Sequence, residues 1–220
     1  STPAPAPPPL LATGAITYGS FNNMAKMSAK VLELWAELLL RVPGSRLALK
    51  NKALAEAPAR ARVIAAFARK GIAESRILMS GAVESLEGHL NSYAHVDVAL
   101  DSYPYHGTTT TCEALFMGVP VVTLTGPAHV SRVGASLLRH AGLEECITAA
   151  GEEYLRCAAS WVSRRDDLAA LRQQLRARIR SSPLMDEPGF ARRMEAAYRL
   201  MWRRWCEGLA PEAISVAGKD

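Results

Sequence analysis

Short apolar segments alternate five times with helical segments over the first 140 residues, and this alternation constrains the fold more than any other feature. The apolar segments are nearly continuous, which is typical of strands covered on both faces. Strands joined in this way by helices form a parallel sheet through right-handed crossovers. We therefore predict an α/β fold, a Rossmann-like parallel sheet with helices on both faces, with strands at 15–19, 46–50, 76–79, 96–100 and 120–124.

The segments between and after these strands carry helix signals. Ser28 is a candidate cap for a helix that runs to about residue 40, before Pro43 and Gly44. Strand signals end before residue 151, so the rest of the chain is predicted to be helical. The predicted helices cover 28–40, 58–70, 86–94, 109–117, 130–140, 152–163, 167–180 and 188–206.

The first nine residues contain five of the thirteen prolines, which predicts an extended segment that cannot join a core. The chain has no initiator Met, so we interpret residues 1–14 as a Pro/Ala-rich linker within a longer polypeptide. Residues 15–150 form the predicted sheet lobe. Residues 151–208 are predicted to form C-terminal helices that pack on this lobe or on both lobes of the protein, and 209–220 a tail.

Composition narrows the class of protein. Hydrophobic residues make up 49% of the chain, which excludes a wholly disordered protein. No apolar run reaches about 18 residues, so no transmembrane helix and no membrane partner are expected. Four cysteines without a CxxC motif predict reduced, mostly buried thiols in a cytoplasmic protein.

Two features of the C-terminal helices have alternative interpretations. Residues 160–205 contain eleven Arg and five acidic residues, which fits either an acidic partner such as nucleic acid or a solvated helix face. The last helix has one apolar stripe, which fits either a partner groove or, as we favour, core packing. The stripe consists of Phe190, Met194, Ala197, Tyr198, Met201 and Trp205.

Ligands bind parallel sheets at the carboxyl ends of the strands, so the loops there are the candidate sites. After the first strand, Lys26 precedes a helix, where it is either a phosphate ligand or an ordinary surface lysine. After the fourth strand, a loop leads into four consecutive threonines, 108–111, whose hydroxyls and helix-start amides suit a diphosphate. Glu113 lies one turn along the same face, where it can accept hydrogen bonds from ribose hydroxyls.

Two further loops have weaker signals. The loop at 80–85 leads to His89, which is either a ligand residue or a half-buried helix histidine. The loop after the fifth strand contains His129 and Arg132, and spacing alone does not decide their role. GxGxxG and P-loop motifs are absent from the sequence, and no catalytic constellation stands out, so we expect a general base to come from elsewhere.

The order of several motifs resembles the O-GlcNAc transferases of glycosyltransferase family 41, in the form of a bacterial homologue. The resemblance extends from about Ile16 to about Gly208. The motifs are FNNMAK (21–26), LWA (34–36), RVPGS (41–45), ALD (99–101), HGTTT (106–110), GVPVVT (118–123), SRVGAS (131–136) and IRSSPL (179–184). The resemblance implies the C-terminal catalytic lobe of a GT-B glycosyltransferase that binds UDP-GlcNAc.

The resemblance also assigns roles to individual residues. Lys26 matches the family's lysine at the diphosphate, which is needed for transfer, and Asn23 replaces a Gln beside the nucleotide. Val83 falls in the loop that holds uracil through its backbone. His89 matches a histidine near the base and ribose. The remaining donor-binding residues implied are Thr108, Thr109, Thr110 and Glu113.

Three departures affect these assignments. Thr108 stands where animal members have His, Leu86 falls near a position held by Lys, and residues 82–89 form a stretch one residue longer. The family implies inverting transfer to Ser or Thr of an acceptor protein or peptide, with no metal and no cofactor beyond the donor. It also implies an N-terminal catalytic lobe and upstream tetratricopeptide repeats as partners, so the chain alone is expected to be incomplete.

Two alternatives to this function stay open. The same fold can serve another donor, such as GDP-fucose, or another acceptor. The basic helices can also belong to a non-catalytic nucleotide- or nucleic-acid-binding module, although nucleic acid is the less favoured partner.

Overall fold

A computed structural model of the chain describes residues 2–216. It contains six parallel strands in the order β3-β2-β1-β4-β5-β6, flanked by helices. The strands are Thr17–Ser20 (β1), Arg46–Lys50 (β2), Ile77–Ser80 (β3), Val98–Leu100 (β4), Val121–Leu124 (β5) and Ile147–Thr148 (β6). The predicted fold class is confirmed, and β6 is a strand that the sequence analysis missed.

Nine α-helices lie within the described residues. They are Leu10–Thr13 (α1), Ala29–Arg41 (α2), Ala57–Ala68 (α3), Leu86–Asn91 (α4), Thr109–Phe116 (α5), Val133–His140 (α6), Gly151–Ser160 (α7), Arg165–Arg180 (α8) and Glu187–Cys206 (α9). The predicted cap is confirmed, because the Ser28 hydroxyl accepts a hydrogen bond from the backbone N–H of Val31. None of the helices within residues 2–216 is long and apolar enough to cross a membrane.

Two compact units divide the chain, residues 1–179 and residues 180–220. The first contains the sheet and α1 to α7, with α8 through residue 179. The predicted helical segment 151–208 is therefore divided between the two units. Ser1 and residues 217–220, which belong to the predicted linker and tail, lie outside the described residues.

Buried aromatic side chains join helices α2 and α7 to the sheet. The Trp35 indole N–H donates to the hydroxyl of Tyr154 at 3.1 Å, and the hydroxyl of Tyr18 on β1 donates to the backbone carbonyl of Ala158 at 3.0 Å. Trp35, Tyr18 and Tyr154 are fully buried. Their polar atoms are thus satisfied inside the core, as burial of such groups requires.

The amino-terminal segment packs into the core at its end. The prediction that the first nine residues cannot join a core is wrong at Pro8, which is buried. Leu10 is fully buried, and its backbone N–H donates to Asp97 Oδ1 at 2.9 Å. The second Asp97 oxygen accepts from the N–H of Thr17 at 2.7 Å. One buried carboxylate therefore fixes both the segment and the start of β1.

Arg172 on α8 also binds the amino-terminal segment and the residues that precede β4. Its guanidinium is 1% exposed and donates to the carbonyls of Ala6, Val96 and Tyr93. Burial lowers the pKa of Arg172 to about 10, and the Asp97 charge opposes that shift. The basic character of this helix thus has a structural role at Arg172.

Four of the six residues in the apolar stripe of α9 are exposed in the described chain, so core packing of the stripe stays a prediction. Exposed fractions are 60% for Phe190, 60% for Tyr198, 54% for Met201 and 76% for Trp205.

The burial of the cysteines also differs from the prediction. All four cysteines are free, but only Cys146 is buried, Cys206 is exposed, and Cys112 and Cys157 are intermediate.

Replacing Arg172 by Met is expected to lower the free energy of unfolding by about 2–4 kcal/mol, because buried carbonyls lose their charged donor. Urea denaturation followed by circular dichroism measures this change. Arg165→Met, at an exposed position of the same helix, is the matched control and is expected to change it by less than about 0.5 kcal/mol. Equal stability of the two variants would contradict the role given to Arg172.

Candidate active site

The loops that follow β1 and β4 meet at the carboxyl edge of the sheet. These strands are adjacent in the middle of the sheet, and strand order reverses between them. Such a switch point opens a crevice that binds ligands in open α/β sheets. The loop after β1 carries residues 21–26, and the loop after β4 carries residues 101–108 and leads into α5. The two loops singled out in the sequence are thus neighbours in space.

Lys26 lies at the end of a short 3-10 helix, Met24–Lys26, in the loop after β1. Its ammonium donates to the backbone carbonyl of His106 at 2.9 Å and lies 4.1 Å from the centre of the Tyr105 ring. Burial lowers the pKa of Lys26, and the charge of Asp101 opposes that shift. The structure therefore places the positive charge of Lys26 against the loop that precedes the threonines.

A buried carboxylate supports that loop from beneath. Asp101 is 2% exposed, and its Oδ1 accepts from the backbone N–H of Gly107 at 2.8 Å. Its Oδ2 accepts from the Thr123 hydroxyl at 2.8 Å. Burial raises the pKa of Asp101, opposed in part by these donors. This role was not visible in the sequence, because Gly107 and Thr123 are brought to Asp101 by the fold of the loop and by the neighbouring strand β5.

His106 is also structural. Its Nδ1 accepts from the backbone N–H of Gly134 at 3.0 Å, and its Nε2 lies 2.9 Å from the carbonyl of Leu124. A nitrogen that accepts an amide proton carries no proton itself, so the ring proton is on Nε2 and donates to Leu124. His106 is therefore a neutral ring that ties the loop to β5 and α6, and it is fully engaged.

The threonines divide into two exposed and two engaged residues. Thr108 and Thr109 are exposed at the start of α5. The Thr110 hydroxyl donates to Asn22 Oδ1 at 2.7 Å, and the Thr111 hydroxyl donates to the Gly107 carbonyl at 3.2 Å. The first amides of a helix have no intrahelical acceptor and attract anions. The arrangement thus leaves an exposed helix start facing the crevice.

The side chains of Glu113 and His89 contact each other, which the sequence did not indicate. His89 Nε2 lies 2.9 Å from Glu113 Oε2. Tyr93 lies beside them, and its hydroxyl donates to the Thr110 carbonyl at 3.1 Å. Burial raises the pKa of Tyr93 well above its ordinary value, so it stays a neutral donor. Tyr93 carried no functional signal in the sequence.

Two predicted residues stand apart from this cluster. The Asn23 side chain is exposed and accepts from the N–H of Ala25 at 3.0 Å, which caps the 3-10 helix. Val83 is 42% exposed in the loop between β3 and α4. Their assigned nucleotide contacts stay predictions. His129 and Arg132, left undecided by spacing, line an open cleft of about 620 Å³ together with Thr108.

The comparisons with known proteins agree on one family. The model of glycosyl transferase family 41 matches residues 10–194, and the chain belongs to this family. The probable UDP-N-acetylglucosamine–peptide N-acetylglucosaminyltransferase SPINDLY of Solanum lycopersicum is 41% identical over 215 residues. The alignment covers 96% of this chain and 23% of that protein. The chain therefore spans about a quarter of the length of this relative.

Solved structures agree with the fold. A mutant of the O-GlcNAc transferase of Thermobaculum terrenum superposes with a TM-score of 0.84 and 39% identity, over 94% of this chain and 38% of that one. Anabaena Alr3699/HepE, solved with UDP and glucose, has a TM-score of 0.56 and 17% identity, over 77% of this chain and 44% of that one. The second likeness concerns the fold alone, which is that of a GT-B glycosyltransferase lobe.

Gly134 is the position where α6 comes closest to the Asp101 carboxylate. A Cβ there would lie 2.4 Å from Asp101 Oδ2 and 2.5 Å from Thr123 Oγ1. Gly134→Ala is expected to lower the free energy of unfolding by about 1–3 kcal/mol, because a packed site must shift to admit a methyl group. Thermal unfolding measures the loss. Ser136→Ala, at an exposed position of α6, is the control, and a Gly134→Ala variant as stable as that control would contradict the packing described.

Proposed function

We propose that this chain is the donor-binding half of an inverting glycosyltransferase that moves GlcNAc from UDP-GlcNAc to Ser or Thr hydroxyls of proteins. One observation carries the proposal: beside the crevice between β1 and β4, the Lys26 ammonium donates to the loop that leads into the exposed start of α5. The names of the tomato and Thermobaculum relatives support the donor and the type of acceptor. Membership of family 41 supports the reaction class.

The diphosphate of the donor would lie between Lys26 and the first turn of α5. An ammonium has three donors, and the bond to the His106 carbonyl uses one of them. The amides of Thr109 and Thr110 are at the helix start, where the helix dipole favours negative charge. When the bond to the sugar breaks, charge develops on the leaving diphosphate. Donors fixed in advance at that point stabilise the transition state more than the ground state.

The nucleoside would extend from this point toward α4. Glu113 is partly exposed and holds His89 on one oxygen, so its carboxylate is placed to accept from ribose hydroxyls. The loop that contains Val83 follows β3 at the same edge of the sheet and would hold the base through its backbone. Thr108, which lines the cleft beside Arg132, would face the sugar. Asn23 would lie beside the nucleotide.

The remaining parts of the reaction would come from outside this chain. We propose that an N-terminal lobe supplies the general base and that tetratricopeptide repeats help to hold the acceptor protein. The site of action would be the cytoplasm, with no membrane partner and no nucleic acid. The alternative of a nucleic-acid-binding module is weakened by Arg172, whose buried guanidinium is occupied with backbone carbonyls.

Lys26→Met is expected to weaken UDP binding to the 220-residue chain by about 10- to 100-fold, because one charged hydrogen bond contributes about 1.5–3 kcal/mol. Isothermal titration calorimetry measures this loss. Lys30→Met is the matched control, since Lys30 is exposed and its ammonium lies 5.2 Å from the centre of the Tyr103 ring. Unchanged UDP affinity in Lys26→Met would contradict the diphosphate site.

The same titrations test the donor. UDP and UDP-GlcNAc are expected to bind more tightly than GDP. If GDP binds more tightly than UDP and this binding is lost in Lys26→Met, the protein is still a glycosyltransferase, but its donor is a GDP-sugar. Equal or absent binding of all three would contradict the nucleotide-sugar proposal.

UDP binding is also expected to be unchanged by EDTA. Among the residues that the structure describes, no group of three or more His, Cys, Asp or Glu is placed to hold a metal. In the proposed site, Lys26 and the helix start supply the positive charge that a metal supplies in other transferases. The measurement is a titration of UDP with and without EDTA. If EDTA lowers the affinity for UDP and added Mg²⁺ restores it, UDP binding depends on a metal ion and this prediction is wrong.

A further inference from the structure

Lys50 is a buried lysine at the end of β2, beside the proposed nucleoside site. It is 5% exposed, although it lies at the edge of the sheet where the crevice opens. Its ammonium contacts three acceptors: His89 Nδ1 at 2.8 Å, the His89 carbonyl at 3.0 Å and Ser92 Oγ at 3.0 Å. It also lies 4.6 Å from the centre of the Phe21 ring. All three donors of the ammonium therefore have partners.

These contacts determine which nitrogen of His89 carries the proton. An ammonium can only donate, so His89 Nδ1 accepts from it. The ring proton is then on Nε2, which donates to Glu113 Oε2 at 2.9 Å. Lys50, His89 and Glu113 thus form one directed chain of hydrogen bonds. This series of hydrogen bonds ends on the Glu113 carboxylate at the crevice.

We propose that Lys50 is a positioning residue for nucleotide recognition: it fixes His89 as the Nε2–H tautomer, and His89 orients Glu113 to accept the ribose hydroxyls of a nucleoside diphosphate. The inference rests on the proposed function for the ligand, but its first step concerns this chain alone. Lys50 itself touches no reacting atom. Its effect is therefore expected on binding of the ribose and not on the diphosphate.

The groups around Lys50 also predict a pH dependence. His89 faces it from α4, and the ring of Phe21 faces it from the loop after β1. The charge of Glu113 acts on it from α5, and Tyr93 donates to Glu113 from the turn between α4 and β4. Burial lowers the pKa of Lys50 to about 8, and the charge of Glu113 opposes that shift. Lys50 is thus protonated at pH 7 and largely neutral at pH 9.

A neutral amine can accept a proton, so as the pH rises through the pKa of Lys50, the part of the constraint on His89 that Lys50 supplies is lost. The Nδ1–H tautomer then becomes available, and it turns a bare Nε2 toward the Glu113 carboxylate. Orientation of Glu113 is therefore present below the pKa of Lys50 and is lost as pH rises through it. Recognition of ribose hydroxyls is expected to follow the same course.

The test compares UDP with 2′,3′-dideoxy-UDP on the 220-residue chain by calorimetry. The wild-type chain at pH 7 is expected to bind UDP about tenfold or more tightly than the dideoxy analogue. Lys50→Met is expected to remove most of this preference and leave affinity for the analogue unchanged. Lys70→Met is the matched control, because Lys70 is exposed at the end of α3. It is expected to keep the preference.

A pH series on the wild-type chain provides the same test without a variant. The preference for UDP over the analogue is expected to fall between pH 7 and pH 9. Titration of Lys26 affects both ligands equally, because both carry the diphosphate. A preference that is unchanged in Lys50→Met, or unchanged at pH 9 if that variant does not fold, would overturn the proposal.

A spectroscopic measurement separates this inference from the proposed function. In ¹⁵N NMR spectra at pH 7, assigned with His89→Gln, the His89 ring is expected to be the Nε2–H tautomer. It is expected to lose that state in Lys50→Met, or at pH 9 in the wild type. If no nucleotide binds, the proposed function fails and this tautomer decides the role of Lys50 by itself. If His89 keeps the Nε2–H tautomer both in Lys50→Met and at pH 9, the role of Lys50 is overturned.

Discussion

The buried carboxylate of Asp101 is the interaction on which the candidate site depends. It accepts from Gly107 in the loop and from Thr123 on β5, and Gly134 on α6 packs directly against it. Three elements are thereby held around one charge. The loop that they fix presents the His106 carbonyl to Lys26 and leads into α5 with Thr108 and Thr109 exposed. Without this carboxylate, the amide of Gly107 and the hydroxyl of Thr123 would lose their acceptor inside the protein.

Asp101 follows β4, and the other end of β4 is also fixed by a buried carboxylate. Asp97 precedes β4, is fully buried, and accepts from Leu10 and Thr17. Short central strand β4, only three residues long, thus has a buried carboxylate on each side. One of them ties the amino-terminal segment to the sheet, and the other builds the site. Both act on backbone amides, so the precision of the crevice comes from fixed donors and acceptors rather than from a large apolar contact.

The sheet was predictable from the sequence because its strands are mostly apolar and alternate with helical segments. Five strands were placed to within two residues at each end. β6 was missed because two residues, Ile147 and Thr148, are too short to show a period. The burial of Leu10 was not predictable, because its partner, Asp97, is 87 residues away. The α9 stripe has the spacing of a core helix, and spacing does not tell whether a partner covers it.

The candidate site was predictable in its loops but not in its interactions. Lys26, Glu113 and the threonines stand where the fold puts ligands, and the family resemblance gave them roles. The role of Lys50 could not be predicted from the sequence, because a lysine at a strand end is normally a surface residue. Its burial depends on His89 and Ser92, about 40 residues further along the chain. Such long-range polar contacts appear only in three dimensions.

A crystal structure of this chain with UDP tests the central claim most directly. We expect the β-phosphate to lie within hydrogen-bonding distance of the Lys26 ammonium and of the backbone N–H of Thr109 or Thr110. The ribose is predicted to lie against Glu113. A nucleotide bound away from the crevice between β1 and β4, with Lys26 still on the His106 carbonyl and no phosphate beside it, would contradict the account.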